Sequence, residues 1–149
     1  PVITVNFMRA VIATADQTGP KALKIVERPS PEPDPDEVLV AIEAFGLNRP
    51  DLLQRDGHYP APPGVTDILG LEIAGRIIKT GSNVTRLKNG DAVCALVAGG
   101  GYAEQCVAHA GNCLPVPTDW KMAEAATLPE TFFTVWFNLF DQGGFKSAE

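Results

Sequence analysis

Turn residues divide this chain into short segments. Its 149 residues include 13 Pro and 14 Gly, which separate short runs rich in β-branched and aliphatic residues. The pattern predicts about seven short strands, two short helical segments and an apolar helix near the C-terminal end. Regularly spaced turns between short strands favour a β-barrel or sandwich over a sheet with alternating strands and helices.

The clearest strand is predicted at residues 37–45, where Val38, Val40 and Ile42 share one face by the two-residue period. Further strands are expected at residues 8–14, 22–28, 68–79, 92–97 and 102–108, with an extended segment at 112–117. Prolines exclude regular structure from residues 29–35. A chain of this length is expected to form one domain, or one domain with an appendage, and needs neither disulfides nor metal to fold.

Residues 48–59 (NRPDLLQRDGHY) carry hydrogen-bonding side chains at the expected rim of the β-rich body. They predict one or two helical turns, with Asn48 as N-cap and a proline near the first position. The apolar Leu52 and Leu53 are expected to face inward. Residues 56–67 then form a long loop containing proline and glycine, and loops of that length are usually functional or mobile.

Charge and cysteine content exclude several classes of protein. The formal net charge of −6 argues against nucleic-acid binding and, more weakly, against anionic membranes. No apolar run is long enough to span a membrane, and the first seven residues lack the features of a signal peptide. Cys94, Cys106 and Cys113 are odd in number and lack a CxxC spacing, which predicts reduced thiols and a cytoplasmic protein.

Residues 130–141 (ETFFTVWFNLFD) have the period of a helix, which Gly143 is expected to end. The helix is apolar on nearly all sides, and a helix of that kind must be buried. Few residues follow it in this chain, so we expect a further domain or another chain to cover it.

Residues 48–59, followed by ILGLEIAG, resemble the medium-chain dehydrogenase/reductase family, above all its zinc-free quinone oxidoreductases of the zeta-crystallin type. The stretches MRAVIA, EVLVAIEAFGLN, GDAVCAL, GGGYAEQCVA and LPETFFTVWFNLF extend the resemblance over residues 8–149. It implies a mainly β fold: a GroES-like, partly open β-barrel with short helices and a C-terminal apolar helix.

The resemblance also implies a division of the chain. Residues 1–7 are expected to be an extension or a cloning remnant, and residues 8–128 the GroES-like catalytic domain. Residues 129–149 form a helix leading to a Rossmann domain that binds NADPH and that this chain lacks. The Gly-rich phosphate-binding fingerprint of such a domain does not occur here. We therefore expect the isolated chain to be inactive. For the full-length protein, the resemblance implies a homodimer.

Three site residues follow from the resemblance. Asn48 is implied as a catalytic and cofactor-binding amide that reaches the nicotinamide or the substrate carbonyl; the alternative is an N-cap alone. Tyr59 is implied as a catalytic phenol that donates a hydrogen bond to the developing oxyanion; the alternative is an aromatic ring packed on nearby prolines. Thr134 is implied as a contact to the nicotinamide amide; the alternative is an ordinary polar group on an apolar helix.

A catalytic zinc ion is not expected. In zinc-dependent relatives a Cys stands at the position of Asn48 and a His at that of Leu71, and neither residue present here is a competent zinc ligand. Glu72 has two open interpretations: a charge at a strand edge, or a partner of Arg76 or Arg49.

The resemblance thus implies an NADPH-dependent quinone oxidoreductase that transfers hydride to a quinone or similar small carbonyl acceptor without a metal. One alternative is an enal or enoyl reductase of the same family. Another is a non-catalytic GroES-like module that binds a partner chain through the apolar helix, because large exposed apolar faces mark interfaces.

Overall fold

The computed structural model describes residues 6–146 and contains two antiparallel sheets. The smaller sheet pairs β1 (Phe7–Ala13) with β2 (Leu23–Pro29). The larger sheet contains β3 (Glu37–Phe45), β4 (Glu72–Thr80), β5 (Ala92–Leu96), β6 (Gln105–His109) and β7 (Cys113–Pro115), in the spatial order β6-β3-β4-β5-β7. Isolated bridges from Ala10 to Ala103 and from Ile12 to Ile68 join the sheets into a barrel that is not closed.

Three short helices lie outside the sheets: α1 (Arg49–Arg55), α2 (Met122–Ala125) and α3 (Pro129–Trp136). α3 continues into the wider turns of Phe137–Gln142, where Gly143 N–H donates to Asn138 O at 2.9 Å and the helix ends as predicted. Single 3₁₀ turns occur at Gly19–Ala22 and Ala110–Asn112. None of the helices in residues 6–146 has both the length and the apolar character needed to cross a membrane.

The main core lies on one face of the larger sheet. β3 has the predicted bounds, and Val38 and Val40 are fully buried there because they alternate onto that face. The remaining members of this core are Ile73, Ile77, Leu87, Val93, Ala95, Val97, Cys106, Ala108 and Cys113. On the opposite face, α2 covers β4 and β5 through Ala125 and Ala126. Both faces of the central strands are therefore buried.

Most predicted strands differ from the structure by one or a few residues at their ends, and two of these differences matter here. The strand expected from residue 68 begins at Glu72, because Gly70 has φ +97° and turns the backbone out of the extended conformation. The smaller sheet begins within the predicted N-terminal extension, since Phe7 pairs with Pro29. Residues 1–5 of that extension and residues 147–149 lie outside the described part of the chain.

The C-terminal helix is not buried within the described residues. Its N-terminal end contacts β4 and β5, but the aromatic side chains beyond that end face outward. Trp136 is 60% exposed, and its ring lies 4.5 Å from that of Phe140. Most of the apolar surface of this helix is therefore uncovered within residues 6–146, and its burial by a further domain or another chain stays a prediction.

Candidate functional site

Asn48 begins helix α1. Its backbone is extended (φ −121°, ψ 155°), and its N–H donates to Asp51 Oδ2 at 2.7 Å. Pro50 occupies the first turn, where its missing N–H has no cost. Asn48 and Asp51 form a capping box, although the Asn48 side chain makes no regular cap hydrogen bond, and the predicted N-cap position is confirmed. The Nδ2 group of the amide has a partner outside the helix.

That partner is Glu72. Asn48 Nδ2 donates to Glu72 Oε1 at 2.9 Å, and the N–H of Glu130 donates to Glu72 Oε2, also at 2.9 Å. Glu72 is only 2% exposed. One buried carboxylate therefore links the N-terminal ends of α1 and α3, and neither interpretation of Glu72 given above is correct. Arg76 instead pairs with the exposed Glu43 at 3.2 Å.

Glycine at position 46 gives the Glu72 carboxylate its space. A Cβ atom at Gly46 would lie 1.9 Å from Glu72 Oε1, which no pair of non-bonded atoms tolerates. Gly46 N–H also donates to Glu72 O at 3.3 Å. The turn between β3 and α1 therefore needs a residue without a side chain for Glu72 to reach Asn48.

Asp51 fixes the other side of α1. It is 2% exposed, and its Oδ2 accepts from the Tyr102 hydroxyl at 2.7 Å as well as from the Asn48 N–H. The Tyr102 ring packs against Phe45, with 4.7 Å between ring centroids. Burial, followed by the hydrogen bond to Asp51, raises the pKa of the Tyr102 phenol, so the hydroxyl stays protonated and donates.

Sequence reasoning missed Asp51 and Tyr102 and placed Leu52 wrongly. Leu52 is 47% exposed because Asp51 takes the inward position on this short helix. The spacing from Asn48 to Asp51 is that of a capping box, a local signal that could have found Asp51. The contact with Tyr102 joins residues far apart in sequence and leaves no comparable local signal.

The site is rich in carboxylates. Glu130, in the first turn of α3, has a pKa raised first by burial and then by the negative charges of Glu72 and Asp51. The ion pairs formed within residues 6–146 use none of these three acids. The region where α1 and α3 begin therefore carries uncompensated negative charge, held mainly by hydrogen bonds to neutral donors.

Thr134 lies one helical turn beyond Glu130 on α3 and is exposed. Its backbone carbonyl accepts from Asn138 Nδ2 at 2.8 Å, while its hydroxyl forms no hydrogen bond with the described residues. The Glu72 carboxylate thus connects the helices that carry Asn48 and Thr134. Tyr59 lies in the loop after α1, where it is 47% exposed, and no hydrogen bond among the described residues joins its side chain to this network.

A catalytic zinc ion needs three protein ligands. Within residues 6–146, no three His, Cys, Asp or Glu side chains come together in a group that could hold a metal. The three cysteines are buried and unpaired. Burial raises the pKa of Cys106 to about 12 and that of Cys113 to about 11, so both remain thiols.

An ion pair anchors the start of the loop that carries Tyr59. Arg55 Nε donates to Asp56 Oδ1 at 2.9 Å, and Arg55 Nη2 donates to Asp56 Oδ2 at 2.8 Å. The Gly19 N–H also donates to Asp56 Oδ1, at 3.2 Å. The hydrogen bond from Arg55 is the main reason that the pKa of Asp56 falls to about 2. The pair therefore joins the end of α1 to the turn before β2.

Replacing Asp56 with asparagine is expected to lower the melting temperature at pH 7. A depressed carboxyl pKa adds stability that is complete above the ordinary aspartate pKa of about 3.9, and this stability disappears as the pH falls through about 2. Melting curves of wild type and Asp56→Asn from pH 7 to 2 should therefore converge at the acid end. The exposed Asp119→Asn serves as control, and a difference that persists unchanged at pH 2 would contradict the assignment.

Residues 34–118 match the family of alcohol dehydrogenase GroES-like domains. The chain belongs to this family. Among curated relatives, this GroES-like domain is 39% identical over 121 residues to the pikromycin polyketide synthase component PikAII of Streptomyces venezuelae, covering 80% of the chain and 3% of that protein. It is 33% identical over 116 residues to the bovine quinone oxidoreductase-like protein 2, covering 76% of the chain and 33% of the relative.

Solved structures confirm the partly open GroES-like fold. The human synaptic vesicle membrane protein VAT-1 homolog-like protein superposes with a TM-score of 0.84 at 30% identity, covering 95% of this domain and 45% of that chain. The Escherichia coli quinone oxidoreductase complexed with NADPH superposes with a TM-score of 0.78 at 31% identity, covering 91% of this domain and 41% of that chain. CurK enoyl reductase superposes with a TM-score of 0.78 at 26% identity, covering 90% of this domain and 42% of that chain. The domain therefore spans less than half the length of each.

Proposed function

We propose that this GroES-like domain is the substrate-facing part of an oxidoreductase that transfers hydride from NADPH to a quinone or a similar conjugated carbonyl. The observation that carries the proposal is the orientation of the Asn48 amide. Glu72 holds Nδ2 in place beside the start of α3, which fixes the plane of the amide and leaves its second N–H for a ligand. A fixed neutral amide at the rim suits a ligand that offers a carbonyl group.

The residues present fit the nicotinamide of such a cofactor. The second N–H of Asn48 can donate a hydrogen bond to a carboxamide oxygen, and the unpaired hydroxyl of Thr134 can bind the same group from the linked helix. When bound, NADPH supplies the hydride, and the protein contributes position and polarity. We place the main cofactor-binding surface in a second domain, which the greater length of the quinone oxidoreductase structure complexed with NADPH supports.

Tyr59 is proposed to donate its phenolic hydrogen to the carbonyl oxygen that gains charge. It lies exposed in the loop anchored by Arg55 and Asp56, with no hydrogen bond to hold it elsewhere within the described residues. A quinone oxygen stabilises negative charge well, so one such hydrogen bond suffices and the proposed reaction uses no metal.

Enoyl reduction is the second candidate. The resemblance to CurK enoyl reductase and to a polyketide synthase component favours it specifically. The same placement of cofactor and acceptor serves both reactions, because hydride adds to a carbon conjugated with a carbonyl in each. The acceptor therefore distinguishes them, and the roles of Asn48 and Thr134 do not.

The test measures NADPH oxidation by the full-length gene product with 1,4-naphthoquinone and, separately, with crotonyl-coenzyme A. Asn48→Ala is expected to lower kcat/KM for the preferred acceptor by about 10- to 100-fold, the effect of removing one oriented polar contact in a transition state. Asn83→Ala is the matched control, since Asn83 also donates its amide to a carboxylate, that of Asp36, but on the exposed surface. It should leave kcat/KM unchanged.

The outcomes separate the candidates. A higher kcat/KM for naphthoquinone supports quinone reduction, and a higher value for the thioester supports enoyl reduction. An Asn48→Ala variant with the activity of wild type would refute the role of the amide. A full-length protein that oxidises NADPH with neither acceptor would refute the proposed class of reaction.

A further inference from the structure

The barrel opens along one seam between its two sheets. β1 meets the segment before β6 where Ala10 pairs with Ala103. Met8 of β1 and Val107 of β6 both line a cavity of about 300 Å³. The cavity shares no lining residue with the Asn48–Glu72 network.

The walls of this cavity are mainly apolar. Their apolar and glycine positions include Met8, Pro29, Pro31, Ile68, Gly100 and Val107. An apolar cavity of about 150 Å³ holds benzene, so about twice that volume suits a fused two-ring molecule. The volume is also at the lower end of the range for small-molecule sites, about 300–1,000 Å³.

The uncharged polar residues of the wall are Ser30, Thr66 and Gln105, and the Thr66 hydroxyl already accepts from the Ile68 N–H at 3.3 Å. Ser30 lies in the wall, and its hydroxyl is buried without a hydrogen-bond partner among the described residues. A buried polar group in this state is unfavourable and is rare in native proteins. Because the Ser30 hydroxyl has no hydrogen bond within the described residues, a change of its staggered rotamer toward a ligand in the cavity breaks none.

The charged and reactive groups of the wall already have partners. Arg28, the one charged lining residue of this cavity, is paired with Asp67 at 3.0 Å. The Cys106 thiol lies 3.2 Å from Val107 O and 3.6 Å from Gly99 O. Burial raises the pKa of the Cys106 thiol to about 12, so Cys106 does not form the nucleophilic thiolate. The cavity therefore suits non-covalent binding of an uncharged molecule.

We propose that this seam cavity is a second binding site, for a neutral two-ring molecule that carries one hydroxyl or carbonyl group. The rings fill the apolar volume, and the polar group pairs with the Ser30 hydroxyl. The inference does not rest on the proposed oxidoreductase activity, because it concerns a different set of residues and is read out by binding alone.

Equilibrium dialysis of the full-length protein against 2-naphthol, naphthalene and 2-naphthoate tests the proposal. We expect saturable binding of 2-naphthol with a dissociation constant on the order of 0.1 mM, the strength open to a ligand of this size. Ser30→Ala should weaken 2-naphthol binding by about two- to tenfold and leave naphthalene binding unchanged. Ser30→Phe should abolish both by filling the cavity. Ser82→Ala, at an exposed turn, is the matched control.

Each contrary result overturns a defined part of the proposal. Binding of 2-naphthol that survives in a folded Ser30→Phe protein would place the site elsewhere. Equal affinity of wild type and Ser30→Ala for 2-naphthol would show that the Ser30 hydroxyl does not contribute to recognition. Tighter binding of 2-naphthoate than of 2-naphthol would exclude a neutral ligand. If Ser30→Phe does not fold, the affinities of Ser30→Ala and Ser82→Ala for the three probes still decide whether Ser30 takes part in binding.

Discussion

Replacing Glu72 with alanine is expected to lower the free energy of unfolding by about 3–5 kcal/mol. The substitution removes an acceptor that is 2% exposed and leaves two donors, Asn48 Nδ2 and the Glu130 N–H, without their partner. Hydrogen bonds to a charged group contribute about 1.5–3 kcal/mol each, and the first turn of α3 loses its anchor to β4. Urea denaturation followed by circular dichroism measures the change.

Two further variants make that measurement specific. Glu72→Gln keeps the shape of the side chain and one accepting oxygen, and it relieves repulsion with Asp51 and Glu130. It should therefore lower the free energy of unfolding by less than Glu72→Ala does. Glu43→Ala removes a carboxylate of the same kind from an exposed pair with Arg76, where about 0–1 kcal/mol is expected. Equal losses for Glu72→Ala and Glu43→Ala would show that the buried carboxylate does not hold the two helices.

Replacing Gly75 with alanine is expected to cost about 4 kcal/mol or more, or to prevent folding. A Cβ atom there would lie 2.0 Å from the backbone oxygen of Ala41. The obstacle is backbone in the centre of the larger sheet, with β3 on one side of β4 and β5 on the other, so no side chain can move to relieve it. The free energy of unfolding in urea, or the yield of soluble protein, reports the effect.

Gly90→Ala is the control for that substitution. Gly90 has φ +91° but open space around the position of a Cβ atom, so only the left-handed backbone is penalised, by about 1–2 kcal/mol. A Gly75→Ala protein no less stable than Gly90→Ala would contradict the close approach of β3 and β4.

Local patterns predicted the strands well and the site only in part. The strand predicted at residues 37–45 matches β3 because alternating burial is visible in consecutive residues. The N-cap of α1 was found at Asn48 because helix capping also depends on neighbouring residues. The early start given to β4 arose because an apolar run continues through Gly70, whose positive φ is not visible in hydrophobicity. Patterns of period two or 3.6 therefore located elements better than their ends.

The polar network shows what such patterns cannot reveal. Leu52 was expected inside because apolar residues usually are, yet Asp51 is buried there through a hydrogen bond from Tyr102. Glu72 could not be assigned because its partner on α3 lies far along the chain. Long-range hydrogen bonds to buried carboxylates depend on the completed fold. The resemblance suggested Asn48, Thr134 and Tyr59, and their roles stay predictions until the variants are measured.

The position of β3 has a consequence for synthesis of the protein. β3 pairs with β4 on one edge and with β6 on the other, and Val38 finds its β6 partner in Ala108. A nascent chain emerging from the ribosome therefore exposes one edge of β3, which carries Val38 and Val40, until β6 has been made. Unpaired edges of this kind recruit strands from other molecules. Truncated products that end before residue 109 should accordingly aggregate, and expression boundaries placed inside β6 should yield insoluble protein.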